Sequence, residues 1–276
     1  MKAKTFRCKA GICAAIGGLL ACSTPAFGGT VAEQNFIDSV YQDLLHRPAD
    51  PAGLAAYLFV FDSGGSAFDV AHAIDTTQEY YTDLVGSYYQ SYLNRAPDAG
   101  SNALVALLMV GGADAVAQAD LLGSPEYLIN RGAGDNSDFL NALYQDLLNR
   151  PADPGAIALF LPLLNAATPR SQVAADVLSS LEYDNDLVNG YFLRFLGRPA
   201  GSNGPPYVSA LGLGATDETV IAQILGTPEF FALAQTQTAT PEPGTFLLLA
   251  LGSGLVLTRA FGRRLLHTAL RLSRAD

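Results

Sequence analysis

From Phe36 onward, apolar side chains return at the helical period: Phe36, Ile37, Val40, Tyr41, Leu44 and Leu45 make one stripe, as an amphipathic helix requires. Pro48 stops that helix, and Arg47 stands at its end, where a cation suits the negative pole of the dipole. Asp50-Pro51 reads as an N-cap followed by proline at the first helical position, because proline pushes the preceding residue out of helical geometry. A second helix then runs to about Phe61. Gly64–Ser66 turns the chain, and a third helix covers Ala67–Asp75 with Phe68, Val70 and Ile74 apolar. Thr77 caps a further helix. Ser124-Pro125-Glu126 and Thr227-Pro228-Glu229 spell the same start as cap, proline and acid. Alternation at period two is not sustained anywhere, so the expected fold is all-α.

The helical pattern repeats. VYQDLLHRPADP at 40–51 returns as LYQDLLNRPADP at 143–154, an offset of 103. Two looser copies are YYQSYLNRAPD at 88–98 and YFLRFLGRPAG at 191–201. The arginines Arg47, Arg95, Arg150 and Arg198 are each followed 31 or 32 residues later by an acid and an aromatic: Glu79-Tyr80, Glu126-Tyr127, Glu182-Tyr183 and Glu229-Phe230. This spacing predicts four helical units in two pairs, parted by the loop at 130–137. Tyr41, Tyr89, Tyr144 and Phe192 stand six before the arginines, and Leu45, Leu93, Leu148 and Leu196 two before. Both sets are expected in the core, where burial of roughly 1.5–3 kcal/mol per side chain supports stacking of units. Asp43 and Asp146, four before their arginines, read as helix-surface ion pairs.

Charge sharpens the picture. Between Thr30 and Thr240 lie seven arginines, no lysine and 24 acids. So acidic a body repels phosphate backbones, which excludes nucleic acid as a partner class. Cys8, Cys13 and Cys22 are the only cysteines, so buried apolar surface alone must hold the body together.

The two ends differ from the body. A basic front with Lys2, Lys4, Arg7 and Lys9, the apolar run at 10–21 and the small residues that follow read as a secretory signal helix over 1–29. LLAC ending at Cys22 offers a lipoprotein site as an alternative. At the far end, Thr245–Leu257 is an uncharged run of about 20 Å as a helix, short of the ~30 Å hydrocarbon core. It reaches across if extended and if Arg259, Arg263 and Arg264 snorkel, a short transmembrane helix with its basic side cytoplasmic. The order Pro241-Glu242-Pro243-Gly244, apolar segment, arginine cluster resembles the PEP-CTERM sorting signal of Gram-negative bacteria. That resemblance implies an exosortase-like membrane protease as partner, passage through the inner membrane, and residence at the cell surface or in an extracellular matrix such as a biofilm.

The repeat resembles bacterial domain-of-unknown-function family 4214 through Tyr41, Leu44, Leu45, Arg47, Pro48, Asp50, Gly53, Thr77, Glu79 and Tyr80. Tyr144, Arg150, Pro151, Asp153 and Gly155 repeat the match. The second unit (Tyr89, Arg95) and fourth unit (Arg198) depart at the turn. The resemblance implies an exported helical module. The expected organisation is therefore a signal peptide (1–29), a first repeat pair (30–130), a second (138–234), a linker with the Pro-Glu-Pro motif (235–244), and a sorting or transmembrane segment with a basic tail (245–276).

Catalytic motifs are not found. The body holds two histidines, His46 and His72, and no GxSxG, P-loop or HExxH pattern. A metal site on Asp50, Asp98 and Asp153 competes with their reading as caps and turns, which explains them at less cost. No cofactor and no metal are expected. The expected function is a non-enzymatic exported protein that binds other surface proteins or extracellular polysaccharide. The alternatives are a carbohydrate-active hydrolase using paired carboxylates and a calcium-dependent assembly module.

Overall fold

The computed structural model describes residues 29–237. The expected signal segment, Gly29 apart, and the sorting residues Pro241, Glu242, Pro243, Gly244, Arg259, Arg263 and Arg264 lie outside the described residues. Within them the chain is helical and has no strand. The first half carries α1 (Val31–Leu45), α2 (Pro51–Asp62), α3 (Ala67–Asp75), α4 (Gln78–Leu93), α5 (Ser101–Met109), α6 (Asp114–Leu122) and α7 (Pro125–Asn130). The second carries α8 (Asn136–Leu148), α9 (Pro154–Asn165), α10 (Arg170–Leu178), α11 (Leu181–Leu196), α12 (Pro205–Gly212), α13 (Asp217–Leu225) and α14 (Pro228–Gln237). Shifted by 103, α2, α3, α4 and α6 coincide with α9, α10, α11 and α13 at both ends. None of the described helices is long and apolar enough to cross a membrane.

Local chemistry sets these boundaries. Asp50 accepts from the amides of Ala52 and Gly53, and Asp153 from those of Gly155 and Ala156, each ahead of a helix-opening proline. Thr77, Ser124, Ser180 and Thr227 each accept from the amide three residues on. The long helices α1, α4, α8 and α11 all end on a left-handed residue: His46, Asn94, Asn149 and Gly197. Arginine follows that turn in every unit. Arg47 therefore lies beyond the helix and does not close its last turn, contrary to the dipole reading.

Periodicity suggests units stacked on neighbours, but the packing also joins the ends. α3 lies across α13, α6 lies across α10, and α14 lies against α1. Phe36 of α1 meets Phe61, Phe230 and Phe231 at ring-centroid distances of 5.9, 5.9 and 5.3 Å. Gln235 donates to the Ala32 carbonyl and accepts from the Asn35 side chain. These bonds extend α14 to Gln237, three residues into the stretch expected as linker. Where α6 meets α10 and α13 meets α3, the approach is close enough that Gly123 and Gly226 leave little or no room for a side chain.

Candidate functional site

Each arginine of the repeat sits in a closed clamp. The Arg47 guanidinium meets Glu79 with two bonds, Nε to Oε1 at 2.6 Å and Nη2 to Oε2 at 2.7 Å. Its Nη1 donates to the Pro48 carbonyl and to Asp50 Oδ2. The same guanidinium lies over the Tyr41 ring, 5.1 Å from its centroid. Arg95 pairs with Glu126 over Tyr89, and Arg150 with Glu182 over Tyr144, each with its own aspartate, Asp98 or Asp153. Arg198 pairs with Glu229 over Phe192. The fourth unit has Gly201 where the others have aspartate.

The clamp joins the turn after one long helix to the first turn of the helix 31 or 32 residues on. The arginine lowers the pKa of each glutamate mainly by direct hydrogen bonding. Asp50, Asp98 and Asp153 are held low first by backbone amides. The aspartates are thus spent as caps and arginine partners. Among the described residues no three His, Cys, Asp or Glu side chains converge to hold a metal ion. The bidentate fork is a matter of shape as well as charge. Arg150→Lys is expected to lower the urea midpoint slightly, a modest loss because the pair is part exposed and screened by solvent; urea denaturation measures it.

Asp43 and Asp146 do not pair with their own arginines, whose guanidinium donors are already taken. Arg194 reaches the Asp43 carbonyl instead. Asp146 pairs with Arg131 and accepts from the Tyr127 hydroxyl at 2.8 Å.

A second constellation lies between the halves. Tyr88 donates to Asp114 Oδ2 at 3.0 Å, and Tyr191 donates to Asp217 Oδ2 at 3.0 Å; the two pairs are copies at offset 103. Gln118 Oε1 accepts from Tyr92 at 2.6 Å and from Tyr183 at 3.3 Å. Asp75 and Glu218 are buried between α3 and α13. Burial first, then the charge of Glu218, pushes Asp75 up to about 9. Burial likewise raises Asp114 and Asp217, opposed by the Tyr88 and Tyr191 hydroxyls and reinforced by the neighbouring acids. Asp114 and Asp217 share the wall of a cavity of about 310 Å³ with Gln118, Tyr183 and Asp184.

Sequence reasoning gathers the clamp residues Tyr41, Arg47 and Asp50 and their copies, but not the Tyr–Asp pairs. The same offset of 103 carries Tyr88 onto Tyr191 and Asp114 onto Asp217, and was the available signal.

The family model described as Domain of unknown function (DUF4214) matches residues 24–84 and 117–187. Two stretches of the chain are thus similar to the DUF4214 repeat. The matches contain the two clamps with the full set of tyrosine, arginine, proline, aspartate and glutamate, centred on Arg47 and Arg150. Tyr88, Asp114, Tyr191 and Asp217 all fall outside the DUF4214 spans. No curated protein and no solved structure matches the chain.

Proposed function

We propose that this is an exported, non-enzymatic surface or matrix protein that binds protein or polysaccharide partners after sorting by an exosortase-type protease. The observation that carries the reading is the order of Pro241-Glu242-Pro243-Gly244, apolar segment and arginine cluster in a chain with a basic-apolar front. The body supports it, because the most regularly repeated polar residues are spent on holding helices to one another. An epitope placed just ahead of Pro241 tests it by cell fractionation. The tagged protein is expected in surface or extracellular fractions, shortened at both ends. Replacing Pro241 and Pro243 by alanine is expected to hold it in the membrane fraction. Full-length protein in the cytoplasm would end the proposal.

One observation favours a carbohydrate-active hydrolase as the second reading: Asp114 and Asp217 are raised together at one cavity, as an acid–base pair can be. Turnover of a polysaccharide by the purified chain, lost in Asp114→Asn, would move the assignment to that reading.

A further inference from the structure

The fourth clamp is the one that the repeat leaves incomplete. In the first three units the arginine meets two carboxylates, a glutamate and an aspartate. In the second, the Tyr89 hydroxyl also lies 3.5 Å from Asp98 Oδ1. The fourth unit lacks both groups, with Phe192 in place of the tyrosine and Gly201 in place of the aspartate. Arg198 keeps its two bonds to Glu229, at 2.6 Å each, and its Nη1 donates to the Pro199 carbonyl. Nη1 carries a second hydrogen. Asp50 and Asp153 accept from Nη1 of Arg47 and Arg150, whereas that hydrogen of Arg198 has no acceptor among the described residues.

Arg198 stands in the wall of an open cavity of about 520 Å³. The only charged groups of its lining are Arg198 and Glu229, already paired with each other. The remaining polar lining is neutral, and the side chains of Ser202, Asn203, Tyr207 and Gln223 make no hydrogen bond among the described residues. At offset 103 their counterparts are Ala99, Gly100, Leu104 and Asp120, so the second unit offers one polar side chain there, a carboxylate. Tyr207 stands edge-to-face with Phe192 at a centroid distance of 5.4 Å, and its ring and Pro206 supply the apolar part of the lining. Neutral donors and acceptors around an aromatic ring suit a ligand with many hydroxyls and an apolar C–H face. A ligand carboxylate would replace the missing aspartate. The body opposes an anion, however, with seven arginines against 24 acids between Thr30 and Thr240, whereas a hydroxyl oxygen accepts the same N–H without that cost.

We propose that this cavity binds a neutral sugar residue of a polysaccharide, one of whose hydroxyl oxygens takes the free Arg198 Nη1 hydrogen while its C–H face lies against Tyr207 and Pro206. The site deepens the polysaccharide side of the function proposed above and rests on it for the source of the ligand. Binding is measured on purified protein and export by fractionation, so failure of the one is distinguishable from failure of the other.

An array of β-glucan, α-mannan and β-galactan oligosaccharides, with uronate oligosaccharides beside them, tests the site when probed with the purified full chain. Isothermal titration with the neutral member that binds then gives affinity and stoichiometry. Saturable binding of a neutral oligosaccharide at one site per chain is expected. Tyr207→Leu, which copies the second unit, is expected to weaken it about tenfold, and Gln223→Ala about fivefold. Asp120→Ala, at the counterpart of Gln223, is expected to leave it unchanged. Three results would overturn the proposal: no neutral member binds, the uronates bind more tightly, or binding is undiminished in either variant once folded. Circular dichroism checks folding. Gln223 is exposed, so Gln223→Ala decides alone if Tyr207→Leu unfolds.

Discussion

Replacing Gly123 by alanine is expected to cost about 3 kcal/mol and to lower the melting temperature by about 6–12 °C. Gly123 ends α6 at the point where it meets α10. A Cβ there would lie 2.6 Å from the Ser171 Cα, and backbone on both sides leaves nothing flexible to yield. The backbone angle is not the obstacle, since φ at Gly123 is −79°; the obstacle is space. Its copy Gly226 offers an internal comparison, because a Cβ there would stand 3.0 Å from the Phe68 backbone. Gly226→Ala is expected to cost less than half as much. Thermal melts of the two variants measure both. An unchanged melting temperature for Gly123→Ala would show that the halves are not pressed together at this crossing.

Asp75→Asn is expected to stabilise the protein by about 2 kcal/mol at pH 8 and to leave it nearly unchanged at pH 4. Asp75 is fully buried and neither carboxyl oxygen has a hydrogen-bond partner among the described residues. His72 Nδ1 lies 3.1 Å from Oδ1, Glu218 faces it from α13, and Tyr80 and Tyr81 lie near it on α4. The unfolded carboxyl ionises near pH 4, whereas the folded one keeps its proton up to about 9. A raised folded pKa means that stability from this group is full below about pH 4, falls as pH rises, and is lost above about 9. The glutamates of the four clamps act the other way: their lowered pKa values give stability above their unfolded pKa that is lost in acid. Urea midpoints between pH 4 and 9 read the balance. If the decline towards alkaline pH keeps its slope in Asp75→Asn, the source lies with Asp114 and Asp217 instead.

How far the sequence speaks depends on whether a property is local. Caps are local, so Asp50, Thr77, Ser124 and Thr227 announce their helices, and the bounds of α3 are readable from Ser66 and the apolar run that follows. The clamp is half local. Arg47 and Glu79 are both visible, and their separation of 31 or 32 residues in all four units is a sign of contact. A helix-surface pairing with Asp43 is the nearer explanation in sequence, but it fails because bidentate geometry and the Tyr41 ring hold the guanidinium away. The residue before each arginine, His46, Asn94, Asn149 or Gly197, is of a kind that tolerates positive φ, a hint legible only once the four are aligned. Asp114 and Asp217 look like ordinary first-turn acids. Asp114 lies on α6, which packs on α4 of its own half and on α10 of the other, and Asp217 lies on α13, which crosses α3; periodicity carries no record of those crossings.

The seating of α14 on α1 limits how such a gene can grow. In an open solenoid the terminal repeat leaves a face on which another can be appended. Here that face is already taken by Phe230 and Phe231 against Phe36. Adding a unit beyond α14 would have to break this aromatic seam first, so an appended copy would cost the ring contacts that hold α14 to α1.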